Sequence, residues 1–476
     1  MSFTGPYYIL FFAAAAGGWY CFPQRLRRFW LLAAGIAFYC FAGLRFLPVL
    51  LGAALVSYLA ALAAERRWLG KRRLWTCLGL LCILGALFAC KYLTFFCGIV
   101  APGAVTRGLP LPPGLSFYSF GACAYLIDVQ RGKLRAERDP VDYAAFLAFF
   151  PALLAGPVGR AREFLPQLKQ PPAFDAARVK AGALRFAWGA FQKLVAADCL
   201  GLLVDAAYAD PAAVSGGATL AAALAYSVQI YLDFAAYSNM AIGSAEMLGL
   251  RVTENFRAPY LSRTVKEFWK KWHISLTDWF REYLYIPLGG SRRGKARTAL
   301  NVLIVFAVSG LWHGAAWTFV VWGVLNGLYQ VVGSVTAPAR QSLRQRLRIP
   351  EEGGVTAAVQ CVVTFLLLTL TWIFFRAPSL GTAVYVIKHI LLIARDGFGA
   401  ASAAALLPAR RWLLLVPVLA LCAAEDVGVL RGRPVWKRVT EGFPYWGVLA
   451  ALVLAILLFG VYGEGFDARE FVYFRF

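Results

Sequence analysis

The stretch A-L-N-V-L-I-V-F-A-V-S-G-L-W-H-G-A-A-W-T-F-V-V-W-G-V-L-N-G-L-Y-Q, residues 299–330, contains no Asp, Glu, Lys or Arg. Basic residues flank it on both sides, Lys295 and Arg297 before it and Arg340, Arg344, Arg346 and Arg348 after it. A helix crosses a hydrocarbon core of about 30 Å in roughly 20 apolar residues. Cytoplasmic loops collect Lys and Arg, so a run with both ends basic goes in and comes back. At about 1.5 Å per residue from Thr298, residue 313 lies some 22 Å deep, roughly where an inward and an outward pass must join. The turn is therefore expected close to His313.

The same logic applies to the rest of the chain. Its 476 residues are 60% hydrophobic and 15% aromatic, with a mean hydropathy of +0.62, a composition foreign to water-soluble domains. Further apolar runs lie at residues 7–22, 29–44, 47–64, 74–100, 182–205, 218–240, 358–375, 411–424 and 444–463. The run at 29–44 and 47–64 reads as a hairpin returning to the basic loop of Arg66, Arg67 and Lys71 to Arg73. The first run is a retained helix, with Arg25, Arg27 and Arg28 after it placing the N-terminus outside. The Pro/Gly-rich stretch 101–114 turns the chain outside, and the terminal F-V-Y-F-R-F, residues 471–476, is expected at the outer face. The segment 143–158 is broken by Pro151 and Pro157 and is either re-entrant or a kinked helix. Residues 381–394 read as an interfacial helix. An all-α, polytopic membrane protein with about 10–12 transmembrane or re-entrant helices follows.

The net charge of +23 lies in short clusters between apolar runs, which reports topology rather than a nucleic-acid face. The ten cysteines form no C-x-x-C pair and read as small core residues. No metal helix, Walker loop or G-x-S-x-G elbow is present, so no metal ligand is assigned and covalent serine chemistry is unsupported.

The chain holds three histidines, His273, His313 and His389. An ionisable group as deep as His313 is a functional candidate by default. Burial favours neutral imidazole, the form that takes a proton from an attacking hydroxyl. The competing reading is a structural polar network. Gly310 and Gly314 permit close helix approach or the turn itself, and Trp312 and Trp317 are candidates to wall the site. His273 lies in F-W-K-K-W-H-I-S-L-T-D-W-F-R-E-Y-L-Y-I-P-L-G-G, residues 268–290. There Trp269, Trp272, Leu276, Trp279 and Tyr283 recur at helical steps, while Lys270, Lys271, Asp278 and Arg281 are polar, as in a helix at a membrane boundary. His273 then shares a side with Trp269, Leu276 and Phe280. It is either an interfacial anchor or part of a cytoplasmic mouth whose cations meet phosphates. His389, beside Lys388, is assigned a surface role. Asp128 and Asp233 lie at or in apolar runs, and the deeper Asp233 is a candidate to orient a helix or a hydroxyl.

Six blocks in chain order resemble the membrane-bound O-acyltransferase family, especially its bacterial alginate O-acetyltransferase branch. They are L-P-P-G-L-S-F-Y-S-F at 111–120, Y-L-I-D-V-Q-R-G at 125–132, Y-S-V-Q-I-Y-L-D-F-A-A-Y-S-N-M-A-I-G at 226–243, E-N-F-R-A-P-Y-L at 254–261, F-W-K-K-W-H at 268–273 and S-G-L-W-H-G at 309–314. The terminal F-V-Y-F-R-F is similar to that branch as well. The resemblance implies that His313 is the catalytic histidine and His273 its partner, at a tunnel between a cytoplasmic donor and an outer acceptor. Trp269, Lys270, Lys271, Trp272, Asp278, Arg281, Trp312, Trp317 and Asp233 are then candidates to line the tunnel or bind the donor. Asn239 and Ala236 depart from the branch, which usually has Asp and Gly there, so no acidic role is expected at 239.

A single membrane domain over 1–476 is expected, with N-terminal helices in 1–104, the acyltransferase core in 105–335 and C-terminal helices in 336–476. The implied function is O-acetylation of an envelope polysaccharide across the bacterial cytoplasmic (inner) membrane. Acetyl-CoA or another acyl thioester is the donor substrate, no bound cofactor is expected, and an extracytoplasmic acetyltransferase is the expected partner. D-alanyl transfer to teichoic acid from a carrier-protein thioester is the near alternative. A transporter or flippase without acyl chemistry is the distant one, disfavoured by the lack of repeated halves.

Overall fold

The computed structural model describes residues 2–101, 108–348, 350, 353–393, 399–439 and 442–462. Among the described residues regular structure is helical throughout, with no strand. Eight helices are long and apolar enough to cross a membrane: Gln24–Glu65, Arg72–Val100, Ala176–Ala209, Gly216–Met247, Lys295–His313, Trp317–Val335, Gly354–Arg376 and Ala409–Leu430. Leu380–Leu391 and Phe443–Phe459 are shorter apolar helices. At 42 residues, Gln24–Glu65 would extend about 60 Å if straight, twice a hydrocarbon core. It is divided by a corner at Leu44–Phe46, where Gly43 takes a φ of 139°. Both arms meet Pro140–Leu147, but Leu47–Glu65 also lies against the helices of Arg72–Leu87 and Leu115–Gln130. The protein is thus a multi-pass, all-α membrane protein. The C-terminal F-V-Y-F-R-F and residues 102–107 of the outer turn lie outside the described residues.

The chain forms two compact units. The first comprises residues 1–190, 237–254 and 435–451. Its helices meet through aromatic side chains and short polar ties, such as Tyr8 stacked on Phe186 with ring centroids 5.8 Å apart and its hydroxyl 2.8 Å from Ser244 Oγ. The Pro-broken segment lies here. Pro140–Leu147 ends at Ala148 and a four-residue helix, Phe150–Leu153, follows, so the segment is not one kinked spanning helix. The Ala148 carbonyl abuts Gly35, where a Cβ would come within 2.2 Å of it.

The second unit comprises residues 191–236, 255–434 and 452–476. It contains the hairpin read from 299–330. Lys295–His313 ends at the histidine, Gly314–Ala316 turn, and Trp317–Val335 returns. A Cβ on Gly310 would stand 2.2 Å from the Phe319 carbonyl oxygen, and one on Gly323 2.2 Å from that of Phe306. Only hydrogen side chains allow this backbone approach. Gly354–Arg376 packs on the returning helix. Leu380–Leu391 closes on it through Ala383 and Val386, which are buried with Ala223, Ile373 and Ala377.

Two expectations need correction. His389 is half-buried, and its Nε2 is 2.8 Å from the Val214 carbonyl, so it ties its helix to the loop before Gly216–Met247 rather than serving the surface. Cys123, Cys199 and Cys422 are buried as expected, but Cys21, Cys77 and Cys82 are exposed. On apolar helices such positions face lipid, which accepts a thiol as readily as a core does.

The hairpin yields a stability test. Gly310→Ala should destabilise the protein by about 1–3 kcal/mol through overpacking. Gly333→Ala, where a Cβ meets nothing within 4 Å, should be neutral or stabilising by up to about 1 kcal/mol. Thermal unfolding in detergent micelles distinguishes them.

Candidate functional site

His273 does not sit within one amphipathic helix, as its helical spacing predicts. Val265–Lys271 ends, Trp272 is extended, and His273 adopts φ 44°, ψ 53° before Ile274–Phe280 begins. Left-handed backbone in a residue with a Cβ costs about 1–2 kcal/mol, so the surroundings must hold it. They do so from two sides. Thr264 caps the first helix by accepting the Glu267 N–H, and the Glu267 carboxylate accepts the Arg263 N–H at 2.8 Å. Residues 255–257 run beside the break: Ile274 N–H donates to the Asn255 carbonyl at 3.0 Å and Arg257 N–H to that of Lys271 at 3.1 Å. The break turns the His273 ring inward and leaves it 1% exposed, which excludes an anchor with its tip in headgroup water. Burial pushes its imidazole below the ordinary value, to about 3, so the ring is neutral at physiological pH.

His313, the last residue of its helix, is 3% exposed. The centroids of the two imidazoles are 6.5 Å apart. Aromatic rings enclose them. Trp322 meets His313 edge-on at 5.0 Å, Phe375 at 5.5 Å and Trp312 at 5.0 Å. Phe234 meets His273 edge-on at 4.6 Å, and Trp312 lies 6.1 Å from it. Trp269 packs on Phe306 and Trp322, while Trp272 packs on Phe268 and Trp372. Edge-to-face pairs of this kind add about 0.5–1.5 kcal/mol each beyond area burial. They fix ring positions in a setting with few polar anchors.

Of the residues singled out in the sequence, His273, His313, Trp269, Trp272 and Trp312 come together. Others are largely exposed. Trp317, the first residue of the returning helix, is 53% exposed. Lys270, Asp278 and Arg281 are exposed, and Lys271 pairs with Glu267 at 2.7 Å. These polar residues thus lie on the exposed parts of the two short helices, whereas both imidazoles are buried.

Asp233 is 1% exposed and lies 2.7 Å from Lys193 Nζ, which also contacts Asp198 at 2.8 Å. Lys193 sits in a π-helical turn, Gln192–Ala197, inside the Ala176–Ala209 helix. Such one-turn insertions redirect side chains and recur at functional positions. The next residue after Asp233 is Phe234, the ring against His273, so one carboxylate of the ion cluster and one ring of the aromatic wall are neighbours on the Gly216–Met247 helix. In the first unit, Asn239 accepts from Arg185 Nε at 3.1 Å, and Arg185 pairs with Glu254 at 2.5 Å and Glu246 at 3.2 Å. With two carboxylates already on that guanidinium, a neutral amide suffices at 239. Asp128 lies 3.8 Å from Arg162.

Several participants were not singled out from sequence. Phe234, Trp322, Trp372 and Phe375 are aromatic residues in apolar helices, indistinguishable there from lipid-facing ones. Lys193 and Asp198 did carry a signal, opposite charges five residues apart in the apolar stretch Q-K-L-V-A-A-D, residues 192–198. Among the described residues no group of three His, Cys, Asp or Glu side chains is placed to hold a metal ion.

The sequence matches the model of MBOAT, the membrane-bound O-acyltransferase family, over residues 124–375. It is 38% identical over 391 residues to the probable alginate O-acetylase AlgI of Azotobacter vinelandii, covering 79% of this chain and 74% of that protein. A peptidoglycan O-acetyltransferase of Helicobacter pylori is 32% identical over 395 residues, 76% of this chain and 73% of that protein. A teichoic acid D-alanyltransferase of Streptococcus thermophilus is 28% identical over 280 residues, 55% of this chain and 67% of that protein.

The ion cluster supplies its own test. Lys193→Met removes the cation shared by two buried carboxylates and should destabilise the fold by about 3–5 kcal/mol. Combining it with Asp198→Asn and Asp233→Asn should recover most of that loss. Thermal unfolding of single and triple variants measures both.

Proposed function

The chain belongs to the membrane-bound O-acyltransferase family, and from that premise we propose that it moves an acetyl group from a cytoplasmic thioester, acetyl-CoA, to a hydroxyl on the far side of the bacterial inner membrane, for O-acetylation of an envelope polysaccharide. It is an O-acyltransferase, and an acyl donor is its substrate. One observation carries the assignment of roles: two buried imidazoles with centroids 6.5 Å apart, one at the tip of a spanning hairpin and the other on the polar segment between spans.

His313 is the general base. Its imidazole takes the proton of the acceptor hydroxyl as that oxygen attacks the thioester carbonyl. The C–O bond forms, the C–S bond breaks, and the thiolate recovers the proton. A positioned base contributes on the order of 10²–10⁴-fold to such a step. His273 works beside it from the donor side. The acyl group reaches them through a tunnel, with Trp269, Trp272 and Trp312 as wall. Both rings are almost fully covered, so the aromatic side chains around them must part for substrate to enter.

Acetyl is favoured over D-alanyl because the acetylating relatives are more similar and match a larger share of the chain. Those relatives are named for polysaccharide modification, which favours an extracytoplasmic polymer as acceptor. An extracytoplasmic acetyltransferase is the partner that would complete transfer to it.

His313→Ala should abolish O-acetylation of the cell-envelope polymer at matched expression, a loss on the order of 10²-fold or more. His273→Ala should also impair turnover, whereas His389→Gln should retain activity. Product levels equal to wild type in cells carrying His313→Ala would refute the mechanism.

A further inference from the structure

Asn255 is wholly buried, and its side-chain oxygen gathers three contacts. Ser275 N–H donates to it at 3.3 Å, the Ser275 hydroxyl at 2.7 Å, and His273 Nδ1 lies 3.3 Å away. The backbone N–H fixes the chemistry of this knot. It can only donate, so the amide atom facing it is the oxygen and not the nitrogen. An amide oxygen carries no hydrogen, so Nδ1 of His273 must supply one. The neutral ring has a single N–H, and Nε2 is left with the lone pair. Asn255 also holds the main chain of this segment, since its carbonyl accepts the Ile274 N–H at 3.0 Å.

We propose that Asn255 is a positioning residue that locks His273 in the Nδ1–H tautomer, making Nε2 its proton-accepting nitrogen. The inference rests on the reading that His273 takes part in acyl transfer, and it narrows what His273 does there. With Nε2 unprotonated, the ring cannot donate a hydrogen bond from that nitrogen to the thioester carbonyl. It accepts instead, from a hydroxyl or water held between the two imidazoles. During transfer the hydroxyl proton passes into this imidazole pair as the C–O bond forms, and returns to the sulfur as the C–S bond breaks. The proton count is unchanged, and no further reactant is needed. Which ring nitrogen bears hydrogen is set by the partner of the other, and that partner is Asn255.

The chain has three histidines, which makes a direct measurement feasible. Full-length protein labelled with ¹⁵N-histidine is placed in phospholipid vesicles, and His313→Gln and His389→Gln variants assign the signals by solid-state NMR. The expected wild-type spectrum has His273 with a protonated, pyrrole-type Nδ1 and a pyridine-type Nε2. A protonated Nε2 in that spectrum overturns the proposal, whatever the variants do. Asn255→Leu should shift part of the His273 population to the Nε2–H form. It should also lower kcat about 10²-fold while leaving the donor KM within about a factor of two. Wild-type kcat together with a shifted tautomer would equally overturn it. Asn255→Asp, whose carboxylate still accepts from Nδ1–H, should keep the wild-type tautomer and restore turnover relative to Asn255→Leu. Full activity of His273→Ala would instead remove the functional reading beneath the proposal, while the wild-type spectrum still reports on the tautomer itself.

Discussion

A polar side chain at bilayer depth has no water to fall back on, so every one the protein places there must be answered by another protein group. That constraint shapes the second unit. Lys193 is met by Asp198 and Asp233. The same rule extends to His273, buried on the segment between spans, which is met by Asn255, itself held by Ser275. The alternative, an unanswered ionisable group in hydrocarbon, costs several kcal/mol, a large fraction of the stability of any single domain. The polar knots therefore tie together elements that are far apart in sequence.

The glycines of the hairpin serve the same end by geometry. Carbonyls of Phe306 and Phe319 approach Gly323 and Gly310 to distances no Cβ allows, and the two backbones lock with little side-chain volume between them. His313 ends one of these helices, so its position is set by backbone contacts rather than by a flexible loop. A catalytic group must be held within a fraction of an ångström of its working geometry. A helix end pinned by a glycine contact provides this, whereas the loops that usually carry functional residues must be stiffened by other means.

The parts of the fold legible in the sequence were those governed by long apolar periods. The hairpin turn at His313 followed from charge-free length and basic flanks alone, and the spanning helices from runs of similar kind. The break at Trp272–His273 was not legible. Trp269, Trp272, Leu276 and Trp279 keep helical spacing across it, because two short helices in succession present the same pattern as one. What distinguishes them is the left-handed backbone of His273, imposed by residues 255–257, and such a tertiary cause leaves no local mark. Asn255 stood within a quoted block, E-N-F-R-A-P-Y-L, but its task depends on which atom of a distant serine it meets. Trp317 lies just beyond the helix end yet is half exposed, since proximity in sequence to His313 says nothing about direction once the chain has turned.

The aromatic enclosure around the two imidazoles bears on the fate of the acyl group. A thioester in contact with an activated base is as open to water as to an alcohol, and water at tens of molar would win by number. Trp312, Trp322, Phe375 and Phe234 offer it few hydrogen-bonding positions, so solvent is a poor competitor inside the shell. On the role proposed for the two imidazoles, the rings that hold them also set how readily water competes with the acceptor, and a wider enclosure is expected to favour hydrolysis of the donor over transfer.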